Sequence, residues 1–151
     1  MTNSSSISPP LLGWREWVGL PELNIQKLKA KVDTGARTSA LHAFALDPYK
    51  KDGKDWIMFA IHPEQENTDL IIECHAPIKD KRVVSDSGGH KQRRYVIETK
   101  FILGQTPITA EITLTNRDSM VFRMLLGRTA INNNYLIAPS ESYLLGEPKY
   151  T

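Results

Sequence analysis

A chain of 151 residues with 40% apolar side chains can bury one sizeable core, because a compact fold of this length removes roughly 70% of its unfolded surface from water, and it leaves no room for a second full domain. Nineteen Lys and Arg against 17 Asp and Glu leave a formal charge of +2. That balance is too even for a protein devoted to neutralising phosphates, so nucleic acid is not an expected partner, although Lys79-Asp80-Lys81-Arg82 and Lys91-Gln92-Arg93-Arg94 are locally basic.

The longest apolar run, Trp56 to Ile61, is far short of the ~20 residues that cross a bilayer, which sets the expectation of a soluble, cytoplasmic protein with no membrane partner. A single cysteine, Cys74, excludes an internal disulfide and suits a reducing compartment. Residues 1–10, rich in Ser and closing on Ser8-Pro9-Pro10, have the composition of a disordered or loosely attached tail, and the ordered domain is expected over 11–151. In Leu28-Lys29-Ala30-Lys31-Val32 apolar residues alternate with lysines, the period of a strand with one buried face. Ser39 to Leu46, Trp56 to His62 and Leu70 to His75 read as further strands, the last two separated by the turn-rich Pro63 to Asn67. Tyr95 to Leu103 and Thr106 to Thr115 flank Gly104-Gln105, a pair suited to a two-residue hairpin turn with Gly first. Met120 to Leu126 is another apolar run, Thr129 to Asn133 suits a short helical turn, and Tyr135 to Ala138 a closing strand ended by Pro139. Short strands with turns between them predict an all-β barrel or sandwich.

The residues that carry chemistry lie at the end of the alternating strand: Lys31-Val32-Asp33-Thr34-Gly35-Ala36. A carboxylate at a strand end, where Gly frees the backbone and a Thr hydroxyl can bond a neighbouring loop, can be held rigidly within reach of a water molecule. Zinc would need three or four ligands, and His42, His62, Cys74, His75 and His90 lack the spacing of a known zinc motif. Cys74 and His75, adjacent on a strand, point to opposite faces. A nucleotide-cradling Gly-x-x-x-x-Gly-Lys-Ser/Thr loop is absent. The expectation is therefore no metal site and no cofactor.

Val32-Asp33-Thr34-Gly35-Ala36 resembles the active-site motif of retropepsin-like aspartic proteases, and Met124-Leu125-Leu126-Gly127-Arg128 is similar to the apolar-apolar-Gly-Arg stretch these carry before their C-terminal helix. The order of elements between the two also fits, with a Gly-rich segment at Ser87-Gly88-Gly89 and the hairpin through Gly104. Within this family, Gly13 to Pro21 and Lys31 to His42 look like small bacterial domains labelled "ATP-dependent zinc protease", sometimes associated with glutamate-adding ATP-grasp ligases. The resemblance implies a closed or nearly closed β-barrel of the retropepsin (acid protease) type with one short C-terminal helix. It also implies a homodimer in which Asp33 of each chain builds a water-activating dyad. Thr34 would lock the two loops and Gly35 and Ala36 would line the substrate channel. Ser87, Gly88, Gly89 and His90 would close as a flap over a peptide, and Leu126, Gly127 and Arg128 would support the site.

Two departures qualify the pattern. Arg37 and Thr38 stand where retroviral members carry acids, so Arg128 lacks its usual partner, and Arg37 near the cleft would favour acidic peptides. The interval from Asp33 to Gly127 (127 − 33 = 94 residues) is long, and the surplus is placed as an insertion near 47–81. Asp86 in Asp86-Ser87-Gly88 is an alternative second acid, but the polar residues after it suit an exposed mobile loop better. Trp14 and Trp17 are read as core or dimer packing rather than as ligand contacts. Two rival functions stay open: a non-catalytic module binding a peptide or ligase on the same barrel, and a zinc-dependent peptidase.

Overall fold

In the computed structural model, residues 9–85, 88–116 and 121–150 are described. The strands are β1 (Leu11–Leu12), β2 (Arg15–Leu20), β3 (Ile25–Val32), β4 (Ser39–His42), β5 (Phe44–Lys51), β6 (Lys54–Ile61), β7 (Ile72–Pro77), β8 (Asp80–Ser85), β9 (Lys91–Leu103), β10 (Thr106–Thr115), β11 (Met124–Leu126) and β12 (Leu136–Ile137). A 3-10 turn, Pro21–Leu23, links β2 to β3, and one short helix, α1 (Arg128–Ile131), follows β11. Six strands close into a barrel in the order β10-β4-β11-β3-β2-β9, with β9 returning to β10, as the retropepsin-type barrel predicts. Closure leaves the barrel proper without open edges.

The barrel interior holds the apolar half of each alternating strand: Leu28 and Ala30 of β3, Leu41 of β4, Ile97 and Phe101 of β9, Ile112 and Leu114 of β10, Met124 and Leu126 of β11. The β9–β10 hairpin turns on Gly104, whose φ of +62° is open to Gly without strain, and Leu103 pairs with Thr106 across the two-residue loop.

The stretch from Ser39 to Leu46 is not one strand. β4 belongs to the barrel, and after Ala43 the chain leaves it as β5, with a bulge between Phe44 and Asp47 and Ala45 at φ +54°. A bulge bends a strand and raises its twist, which is how the chain changes sheets here. β5, β6 and β7 form a separate three-stranded antiparallel sheet that sends Ile57, Phe59, Ile61, Cys74 and Ala76 into the same core.

Three further differences from the sequence reading have physical reasons. Lys91 to Arg94, expected as exposed loop, are the first residues of β9 and pair with β8 as an arm beyond the barrel. Such an arm can be wet on both faces, so its strands need no apolar alternation. The closing strand pairs with β1 in a two-stranded parallel sheet, Leu11 opposite Leu136, rather than entering the barrel. Of the expected tail, residues 1–8 lie outside the described residues, and the Pro10 carbonyl accepts a hydrogen bond from Leu136 N at 3.0 Å.

The C-terminal segment is strapped over β2 by a carboxylate no sequence pattern announces. Glu16 is fully buried and accepts hydrogen bonds from the backbone amides of Gly13 (2.7 Å), Leu144 (2.9 Å) and Leu145 (3.2 Å). Three amide donors compensate a buried carboxylate that would otherwise be costly.

Candidate active site

β11 lies between β3, which it parallels, and β4, which it opposes. Asp33 leaves the end of β3 with its amide bonded to Leu126 O at 2.9 Å, and Val32 N bonds Trp14 O at 2.9 Å. The loop from 33 to 38 then runs against the start of α1, where Arg128 N donates to Ala36 O and Thr129 N to Arg37 O, both at 2.9 Å. The Arg128 guanidinium donates to Thr34 O at 2.9 Å, so this arginine grips a loop carbonyl instead of an acid. Gly127 N donates to the buried Ser39 hydroxyl at 3.0 Å. A Cβ on Gly127 would fall 2.5 Å from the Thr38 carbonyl carbon and 2.8 Å from Ser39 N, so only glycine permits this approach. Leu126, Gly127 and Arg128 are thus brought directly against the Asp33 loop.

Within the loop, Gly35 N donates to Asp33 Oδ1 at 3.0 Å and Ala36 N to Asp33 O at 3.2 Å. The side-chain turn fixes one carboxylate oxygen and leaves Oδ2 free of that bond. Asp33 is half-buried, while Thr34, Gly35 and Arg37 are exposed. The Thr34 hydroxyl has no hydrogen-bond partner among the described residues of this single chain.

Gly88, Gly89 and His90 are exposed at the tip of the β8–β9 arm, with Gly89 at φ +82°. Ser87 and Asp86 lie outside the described residues, and so do the flap role of the one and the second-acid alternative for the other. The arm is tied to the barrel by charge: Arg82 of β8 makes a bidentate pair with Glu111 of β10 (2.6 and 2.9 Å) and also meets Asp80 at 2.7 Å. Lys79 reaches Glu98 (2.8 Å) and Glu111 (3.2 Å). The Arg82 bond, with Lys79 beside it, draws the Glu111 carboxyl down to about 2, and the same bonds raise Arg82. By register Arg82 faces Arg94, whereas Glu111 faces Glu98 four residues along β9, about 13 Å on a straight strand. The two long side chains meet across β9.

The potential zinc ligands are scattered. His42 is buried on β4, His62 stacks on Phe44 (4.5 Å), and His90 sits on the arm. Cys74 is buried, donates toward Leu23 O at 3.4 Å, and is pushed up to about 12 by desolvation and by Glu73. His75, on the opposite face, bonds Tyr49 and Glu73. No three His, Cys, Asp or Glu among the described residues come together as a metal site, so these residues do not fit the zinc of the family label.

A closed six-strand barrel with an Asp-Thr-Gly loop seated on a Leu-Gly-Arg turn defines a retropepsin-like domain. More narrowly, residues 11–148 match the RimB-like family, described as the retropepsin-like aspartic endopeptidase RimB, and the chain belongs to that family. It is 44% identical over 137 residues to a probable alpha-L-glutamate ligase of Shewanella pealeana, covering 91% of this chain and 30% of that one. A protein of the same name from Desulfotalea psychrophila is 40% identical over 144 residues, covering 95% of this chain and 31% of its own. The chain therefore spans less than a third of the length of these curated relatives. The crystal structure of Lpg0085 from Legionella pneumophila, a protein of unknown function, superposes with a TM-score of 0.76 at 26% identity over 91% of this chain and 99% of that one. Among the described residues no helix is long and apolar enough to cross a membrane.

Proposed function

We propose that this chain is an aspartic endopeptidase in which Asp33 of two copies forms the water-activating dyad. The observation that carries the reading is the state of Asp33: a half-exposed carboxylate on a loop whose backbone is bonded at both ends to β11 and α1. Two such groups brought together would share one proton, one acting as base on water while the other protonates the scissile carbonyl. Gly35 N positions one carboxylate oxygen, Gly35 and Ala36 line the channel, and Thr34, exposed in one chain, is free to bond the partner loop. The β8–β9 arm, with Gly88, Gly89 and His90 at its tip, serves as the flap, a role the resemblance extends to Ser87. Arg37 favours acidic peptides. The domain works in the cytoplasm beside a glutamate ligase, a reading supported by relatives of that name in which a homologous stretch occupies about 30% of a longer chain.

That same observation supports a second reading, a binding module that holds a peptide for such a ligase without cutting it. The test combines sedimentation of the purified chain with a peptide-library cleavage assay of the wild type and Asp33→Asn. A dimer whose cleavage falls by roughly 10²–10⁴-fold in the variant supports the peptidase. A monomer that never cleaves would overturn it in favour of the module.

A further inference from the structure

The outward face of β2 and β3 carries a line of cations that the site just described does not use. Lys27, Lys29 and Lys31 alternate along β3 with the buried Leu28 and Ala30, so all three point away from the core. Register sets Arg15 opposite Lys31 and Trp17 opposite Lys29, adding a fourth cation and an aromatic ring to the same face. The cations rest on aromatic faces: Lys27 and Lys29 lie 5.0 and 5.3 Å from the Trp17 ring, and Arg15 lies 4.6 Å from Trp14 and 5.1 Å from Tyr143. These contacts hold long, flexible side chains in place on a half-buried apolar floor. Lys27 pairs with Glu147 at 3.0 Å, and Glu64 nearby is engaged by Asn67. Lys29 and Lys31 meet no carboxylate within ion-pair distance among the described residues.

At its far end the line opens into a cleft of about 380 Å³, whose lining includes Trp17, Lys27, Lys29, Glu64, Leu70 and Ile72. At its near end Lys31 stands two residues before Asp33. Lysines at i, i+2 and i+4 of a strand are spaced by about 6.6 Å, the same interval at which an extended polypeptide presents alternate side chains.

From this we infer that the β2–β3 face is a second binding surface, which holds an extended acidic polypeptide with alternate carboxylates on Lys29 and Lys31. As a guide of substrate toward Asp33 it rests on the peptidase reading above; as a binding surface it stands without it.

The test uses the full chain carrying Asp33→Asn, so that no cleavage intervenes, and a fluorescein-labelled (Glu-Ser)5 peptide whose anisotropy reports binding. A (Gln-Ser)5 peptide and a ten-nucleotide single-stranded RNA serve as comparisons. The expected result is preference for the Glu peptide, weakening about five-fold in Lys29→Gln/Lys31→Gln and falling further with added salt. Lys29→Arg/Lys31→Arg should restore binding, and Lys50→Gln/Lys54→Gln, on the separate sheet, should leave it unchanged. Binding indifferent to the β3 lysines, or RNA bound as tightly as the Glu peptide, would overturn the inference. Binding that depends on these lysines, from a wild-type chain that cleaves nothing, would sustain the surface and defeat the peptidase reading.

Discussion

The Asp33 loop and the β8–β9 arm are both short excursions from one barrel, yet they are held by different forces. The loop is fixed by main-chain hydrogen bonds to β11 and α1 and by a glycine with no space for a side chain. The arm is the edge of the sheet, beyond the closed ring, and Arg82, Lys79, Glu98 and Glu111 tie it down. Main-chain bonds in a packed setting respond little to salt or pH, whereas partly exposed ion pairs respond to both. Under the proposed peptidase reading, the loop that holds the carboxylate benefits from the first arrangement, and the arm that would admit a peptide benefits from the second.

The largest blow to this contrast should come from Gly127→Ala. The added methyl would meet the Thr38–Ser39 backbone, which no rotamer change relieves, and a loss of about 3 kcal/mol is expected, read as a fall of roughly 6–12 °C in the melting temperature. A melt within 2 °C of wild type would show the loop to be far more pliable than its contacts imply. Ser39→Ala is the milder form of the same test. It leaves the Gly127 amide without its acceptor in a buried place, at a cost of about 1–2 kcal/mol by denaturant titration.

On the other region, Glu111→Gln should change global stability by less than about 1 kcal/mol, because the pairs are partly exposed. Its effect should be local: amide hydrogen exchange in Asp80–Ser85 should quicken several-fold while Val32 and Asp33 keep their protection. Equal acceleration in both regions would erase the distinction. Acid supplies the smallest perturbation. A carboxyl held low in the folded chain contributes stability that is complete above its ordinary value of 4.5 and is lost as pH falls toward about 2. Exchange in β8 should therefore be flat from pH 7 to 5, after correction for intrinsic rates, and rise between 4.5 and 2.

Much of this molecule was legible in its residues. The lysine alternation of β3, the Gly104 turn and the Asp-Thr-Gly and Leu-Gly-Arg pieces each depend on near neighbours in the chain, through side-chain period or backbone freedom. β8 and the start of β9 were not legible as strands, because Asp80-Lys81-Arg82 and Lys91 to Arg94 are polar on both faces and carry no period to detect. Zinc ligation could be doubted from spacing, but the scattering of the histidines over β4, the turn after β6, β7 and the arm needed the fold. Ser39, Glu16 and Glu111 had no sequence signal at all. Each acts on residues far along the chain: Ser39 on Gly127, Glu16 on Leu144 and Leu145, Glu111 on Arg82.

The division follows from the range of the interactions. Local chemistry determined several of the strands, where one hairpin turns and which carboxylate stands on a glycine-loosened loop, since those depend on residues within a few positions of one another. Only the tertiary structure decided that β5 leaves the barrel, that β11 slots between β3 and β4 beneath Asp33, and that Arg82 finds Glu111 across β9. Those outcomes depend on closing long loops and burying groups together, and no short window of sequence records either.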